Sequence, residues 1–392
     1  METETAVLMP RSGLSFNRFT VEQIELRTVR LPLKESFETS FGRIDSRLIF
    51  LVSLSGEGLT GWGEVVAAEE PRYSYETVGT ARHVIRDYLA PEVLTQPLTN
   101  LEEFAARLAP FRGHNMAKAG LELAFMDLLA QSRNKPLSRL IGGTSVSIPV
   151  GVSIGIQPRV EQLLQSVERY LAQGYRRIKL KIKPGWDIDI VREVRRRHPN
   201  ILLSVDANSA YGIKDLPHLQ QLDEFELLMI EQPLDHDDLI DHSKLRAALK
   251  TPICLDESIT SSRRARQALA IGGCQIINIK IGRVGGYTEA LDIHDLCYSK
   301  RVPVWCGGML ESGIGRAHNI ALASLPGFTL PGDISGSSRY FERDLIAPAV
   351  NVSADGTVEV PQKPGLGFDV DLDYLIACTE NTERIKLNGL NR

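Results

Sequence analysis

Residues 177–187 read RIKLKIKPGWD. On an extended chain Lys179 and Lys181 fall on one face, and Ile178, Leu180 and Ile182 on the other. The aliphatic face can pack on helices while both lysines enter a barrel. A Pro-Gly turn follows, then a helical stretch from Asp187 to Arg197. The same unit repeats on either side. Apolar strands at 148–152, 177–182, 201–206, 227–231, 252–256, 276–280, 302–306 and 328–333 alternate with charged helical stretches. Eight strands and seven helices predict an α/β fold, a closed parallel (β/α)7β barrel of the TIM kind, over its rival, an open doubly wound sheet.

The flanks have another texture. Residues 18–70 alternate as an antiparallel meander, with a turn at Ser55-Gly56-Glu57-Gly58, and 75–131 follow a helical period. The expected organisation is an α+β domain over 1–144, of which 1–16 read as a disordered tail, and the barrel over 145–345. Residues 346–392, with a strand at 357–360 and a helix near Tyr374, are expected to pack back on and complete the first domain.

Composition narrows the function. The 392 residues carry 45 Lys+Arg against 49 Asp+Glu, a net charge of −4, with no basic stripe for a nucleic acid. No apolar run approaches a membrane span, and the first residues do not read as a signal peptide. Five cysteines without CxxC spacing read as reduced thiols in a cytoplasmic protein. No histidine pair has metal-binding spacing, so a metal would be held by oxygen.

The chemistry lies in a spacing. Lys181, Asp206, Glu231, Asp256 and Lys280 are 25, 25, 25 and 24 residues apart, each at the C-terminal end of a predicted strand. In a barrel these ends form one rim, where barrel active sites sit. Asp206, Glu231 and Asp256 then stand side by side, and an all-oxygen set of this kind suits Mg²⁺, Mn²⁺ or another divalent cation. Lys181 and Lys280, four strands apart, face each other across the mouth. Taken singly, an Asp after a strand is more often a helix cap and a Lys-alternating strand a solvated edge; the shared period outweighs those readings. Candidate substrate-binding residues are Ser153, Asn208, Gly308, Met309 and Arg283. The Ser312-Gly313-Ile314-Gly315 stretch is read as a helix N-terminus that receives a substrate oxygen. Phe37, Phe41 and Tyr73 are either ordinary core or an apolar lid.

The runs RIKLKIKPGWD, VDANSAY (205–211), IEQPL (230–234), CLDES (254–258), NIKIGRVGG (278–286) and PVWCGGMLESGIGRAHN (303–319) resemble the enolase superfamily. Within it they resemble the o-succinylbenzoate synthase and N-succinylamino acid racemase group. The resemblance implies a capping domain over the barrel, metal on Asp206, Glu231 and Asp256, and Lys181 and Lys280 as acid/base groups. It implies Lys179 as support for the charge that develops on a small-molecule carboxylate substrate. It also implies a homo-oligomer and a place in menaquinone synthesis. Two departures separate other branches. Lys280 stands where mandelate racemase-like members use a His, and Asp333-Ile334-Ser335 does not supply the DxD of dipeptide epimerases. A dipeptide epimerase, a muconate cycloisomerase and a non-catalytic scaffold stay open as alternatives.

Overall fold

The computed structural model describes residues 14–387, apart from the side chains of residues 16 and 17. Residues 1–13 of the expected tail lie outside this range. Its last residues do not behave as a tail. Leu14 is buried, and Ser15–Phe19 is a strand paired antiparallel with Leu98–Asn100. Leu14, inside the expected tail, is apolar and enters the same core as Phe19 just beyond it.

The N-terminal α+β domain is built on a four-stranded antiparallel sheet. Its order is Thr379–Ile385, Gln23–Thr39, Gly42–Gly56, Leu59–Val65. The edge strand Thr379–Ile385 comes from the far end of the chain and pairs with Gln23–Thr39, with Ile385 opposite Ile24. Helix Asn115–Ser132 lies against the sheet and is buried along almost its whole length. Gly61 and Gly63 permit that approach: a Cβ on Gly63 would collide with the carbonyl of Gly120, and one on Gly61 with that of Ala124. Only glycine fits where strand and helix backbones come this close.

The barrel strands are Gly151–Ile154, Arg177–Lys181, Leu202–Asp206, Ile230–Glu231, Ile253–Leu255, Ile276–Ile279 and Val304–Cys306, parallel and in sequential order. The eighth position is an extended segment over 328–333. Phe328 bridges Val304, Gly332 bridges Val150, and Gly151 N donates to Gly332 O at 2.8 Å. Pro331 has no N–H to donate, so no continuous ladder forms there. The expected strand 148–152 splits. Ser147–Pro149 pairs antiparallel with Thr357–Glu359, and the first barrel strand starts only at Gly151. The third helical stretch is a broken series of short turns from Ile213 to Phe225. The five cysteines are free, four of them buried. Among the described residues, no helix is long and apolar enough to cross a membrane.

Cap and barrel are joined through buried carboxylates at helix starts. The Glu64 carboxylate accepts from Ser312 N, Ser312 Oγ and Gly315 N at the start of helix Gly313–Ala323. Glu122 accepts from Thr288 N (2.6 Å) in the first turn of helix Tyr287–Ser299. The partial positive charge of a helix start is what each carboxylate meets there. The hairpin at Gly42 also touches the barrel: Ile156 N donates to Glu38 O (2.9 Å) and Ser40 Oγ to Asn208 O (3.1 Å).

Burial pushes the Glu122 carboxyl up to about 7, and burial together with Glu311 pushes Glu64 up to about 8. Folded protein therefore holds protons that the unfolded chain has already released above its ordinary carboxyl range. This contribution to stability is full at acid pH and is lost as pH rises through about 7 to 8. Glu122→Gln mimics the protonated form. It should raise the thermal midpoint relative to wild type more at pH 8.5 than at pH 5, by a few degrees in a melting series; an equal shift at both pH values would count against the raised carboxyl.

Candidate active site

The barrel's stagger brings the equally spaced residues together. Lys181, Asp206 and Glu231 are direct cross-strand partners. Glu231 is level with Cys254, so Asp256 stands two residues further along its strand; Asp256 would be level with Asn278, and Lys280 stands two further again. Each shift is by two residues, which keeps every side chain on the inward face.

All of these groups are buried, and each carboxylate has its own cation. Lys181 Nζ lies 2.6 Å from Asp206 Oδ2 and 2.6 Å from Asn208 Oδ1. Lys179 Nζ sits between Asp206 Oδ2 (3.1 Å), Glu231 Oε2 (2.7 Å) and Asp333 Oδ2 (2.6 Å). Lys280 Nζ meets Asp256 Oδ2 at 2.7 Å, and the Arg283 guanidinium pairs with the other oxygen of Asp256. Asn278 Nδ2 donates to Glu231 Oε1 at 2.7 Å. Burial opposes the charge on Asp206, but Lys181 and Lys179 outweigh it and hold the carboxyl well below the usual range. Glu231 goes the other way: burial and the neighbouring Asp206 push it up. Burial also opposes the charge on Lys280, but Tyr73, Glu257 and Glu231 outweigh it and hold the ammonium above the ordinary range.

A cavity of about 490 Å³ opens between this rim and the cap. Lys181, Asn208, Lys280, Gly308 and Met309 line it from the barrel. Phe37, Phe41 and Tyr73 line it from the cap, while Phe37 is also buried and Tyr73 packs against the core. Tyr73 joins the two halves: its hydroxyl accepts from Lys280 Nζ (3.2 Å) and Arg283 Nη1 (3.3 Å), and Lys280 Nζ lies 4.6 Å from its ring centroid. Lys179 is one layer deeper and does not reach the wall. Ser153 and Arg283 are not part of the wall either. Ser153 Oγ is buried without a partner; Arg283 is fixed below Asp256 by the carbonyls of Ile259 and Asn278.

The helix start at Ser312 is not a substrate site. Glu64 and Asp344 already accept its N–H groups, Asp344 from Gly313 N at 2.6 Å. The signal for a helix start was correct; that the cap would supply the anion was invisible in one stretch of sequence.

Two further residues belong to the site. Glu257 is buried and accepts from Asn208 Nδ2 (2.8 Å), while its Oε2 has no partner. Strand alternation would turn it away from Asp256, but the strand ends at Leu255 and both acids point inward. Trp305 lies beneath Lys179, whose Nζ is 4.8 Å from the ring centroid.

Donor chemistry fits a hard divalent cation. Three buried carboxylate residues stand on adjacent strands, and the positive charge of Lys179 is already drawn between two of them. With lysines and Arg283 as their partners, the three do not form a tight cluster. Among the described residues, the group whose ligand atoms all lie within 4.8 Å of one another is the exposed Asp235-His236-Asp237.

A capped parallel barrel with acids and lysines at its mouth defines a class of enzyme, and sequence comparison agrees. Residues 22–142 match the mandelate racemase / muconate lactonizing enzyme N-terminal domain, and 162–374 match the enolase C-terminal domain-like family. The chain belongs to the enolase superfamily. It is 55% identical to an o-succinylbenzoate synthase of Geobacillus kaustophilus, over 90% of this chain and 94% of the relative. It is 50% identical to an N-succinylamino acid racemase of Thermus thermophilus, over 92% and 97%. A crystal structure of an enolase-superfamily member from Listeria innocua superposes with a TM-score of 0.91 at 44% identity, covering 94% of this chain and all of that one. Members of this superfamily generally use a divalent metal.

Tyr73→Phe keeps the ring and removes the hydroxyl shared by Lys280 and Arg283. Turnover should fall by roughly 10-fold, the weight of one hydrogen bond to a charged group, while Tyr73→Ala should cost more. Steady-state kinetics of the two variants check this; an unchanged Tyr73→Phe would remove the hydroxyl from the site.

Proposed function

We propose that this protein is a metal-dependent enzyme that removes the proton α to a carboxylate, racemising N-succinyl and other N-acyl amino acids and dehydrating a cyclohexadiene carboxylate to o-succinylbenzoate. The carrying observation is that Lys181 and Lys280 line one cavity from strands separated by three others. The names of the relatives supply the substrate class. In this reading the enzyme acts in the cytoplasm, as a homo-oligomer.

Asp206, Glu231 and Asp256 would hold Mg²⁺, with Mn²⁺ or another divalent ion as substitutes. The cation would bind the substrate carboxylate and stabilise the second negative charge that develops when the α-proton leaves. Lys179 adds a fixed positive charge beneath the same carboxylate. Lys181 and Lys280 take and return the proton from opposite faces. The charge of a bound cation would offset the groups that hold the Lys280 ammonium and so favour its neutral amine. Dehydration needs one face only, where a single lysine serves as base and then as acid. Asn208, Gly308 and Met309 shape the substrate's place, with Ser153 and Arg283 acting from behind it. Phe37 and Phe41 exclude water above it. Asp333 is engaged by Lys179 and Arg177, so it does not offer a free carboxylate to a substrate ammonium, which disfavours a dipeptide substrate.

Glu231→Gln should abolish turnover and weaken Mg²⁺ binding while leaving the circular dichroism spectrum intact. Near-wild-type activity would remove the carboxylate set from the reaction. EDTA should silence the wild type, and Mg²⁺ should restore it.

The paired lysines make the sharper prediction. Lys280→Ala should stop racemisation in both directions yet let Lys181 exchange the α-proton of one enantiomer with D₂O. Lys181→Ala should show the opposite preference. Each loss should reach at least the ~10²–10⁴-fold that general acid–base catalysis contributes. Proton NMR of N-succinyl amino acids in D₂O reads both, and exchange of both enantiomers by either variant would point to a different base.

A further inference from the structure

The three carboxylates on Lys179 are not equivalent. Asp206 and Glu231 belong to the proposed metal set. Asp333 does not: it ends the eighth segment, and its Oδ2 lies 2.6 Å from Lys179 Nζ. Its Oδ1 accepts from Arg177 Nη2 at 2.7 Å, and the same Nη2 donates to Pro331 O at 2.9 Å. Arg177 and Lys179 are two residues apart on one strand, so they share the inward face in successive layers. Both lie over Trp305, Arg177 Cζ at 5.1 Å and Lys179 Nζ at 4.8 Å from the ring centroid. Trp305 is itself fixed, with Nε1 3.3 Å from Cys254 Sγ. The side chain of Arg177 is 2% exposed. Asp333 is thus anchored from below by a rigid, buried stack.

This arrangement answers an electrostatic problem. An ammonium whose partners are Asp206 and Glu231 alone shares both with any cation they bind, and it is repelled by that cation. A third carboxylate, outside the metal set and on the opposite side of the ammonium's strand, keeps the attraction that the other two divide. We propose that Asp333, fixed by Arg177 over Trp305, is the positioning residue that holds the Lys179 ammonium in the site while Asp206 and Glu231 carry a metal. The metal part of this inference rests on the functional reading above.

The test uses Asp333→Asn beside the double variant Arg177→Met/Asp333→Asn, which does not leave a buried guanidinium unpaired. Both should lose kcat by ~10²-fold, the order seen when one electrostatic stabiliser is lost. KM and Mg²⁺ affinity should change little, and α-proton exchange in D₂O should fall equally for both enantiomers, because Lys179 serves the charge common to both faces. Recovery of kcat together with thermal stability in the double variant would overturn the proposal, since Asp333 would then only neutralise Arg177. So would a loss confined to one enantiomer, or Mg²⁺ binding that weakens in step with kcat. A crystal structure of Mg²⁺-loaded Asp333→Asn reads the same point without any substrate: the Lys179 ammonium should leave its wild-type place, and finding it unmoved would overturn the proposal. That arm holds even if wild-type enzyme fails to exchange N-acyl amino acids, an outcome that would count against the functional reading alone.

Discussion

Taking an ion out of water costs several kcal/mol unless a partner of opposite charge waits for it. The mouth of this barrel buries Lys179, Lys181, Lys280 and Arg283 together with Asp206, Glu231, Asp256, Glu257 and Asp333. Every one of the cations is paired, and Lys179 is paired three times. This mutual neutralisation is the constraint on which the rest hangs. Removing Asp206 takes the carboxylate from Lys181, and removing Asp256 takes it from Lys280 and Arg283, in low dielectric. The set therefore needs a scaffold that brings five strands and the eighth segment to one rim with side chains aimed inward, and a closed barrel with its regular stagger does so.

The cap works by the same electrostatics at lower charge. It contributes Glu64 and Glu122 to the starts of two barrel helices, so buried carboxyl groups meet backbone N–H groups instead of ammonium groups. Those carboxylates set how the sheet and the Gly42 hairpin sit over the mouth. The hairpin in turn carries Phe37 and Phe41 to the cavity, and the segment behind it carries Tyr73 to Lys280 and Arg283. Enclosure of the cavity and docking of the domains are thus one arrangement. Its apolar wall lies above the barrel lysines, and the Tyr73 hydroxyl reaches Lys280 from the cap.

Much of this was legible in the chain. Lys179 and Lys181 alternate with aliphatics, and strand geometry alone puts both on one face. The 25-residue period marks one unit of strand, turn and helix, so Lys181, Asp206, Glu231, Asp256 and Lys280 had to reach a common rim once a barrel closed. Both signals are local or periodic, which is why one sequence carries them.

Contacts between distant segments were decided by tertiary structure. Nothing near Ser312 announces that Glu64, 248 residues away in sequence, occupies that helix start. Nothing in 379–385 announces an edge strand beside Gln23–Thr39, because an exposed edge needs no strict alternation. The spacing that marks Asp256 is silent on Glu257, which alternation would turn outward; alternation holds only while the strand lasts, and the strand stops at Leu255. Asp333 could be placed on the rim by counting, but its attachment to Lys179 and Arg177 depends on the eighth segment closing against the first strand. Sequence determined which groups line the mouth; folding decided which charge neutralises which, because pairing depends on distances that only the closed barrel and the docked cap define.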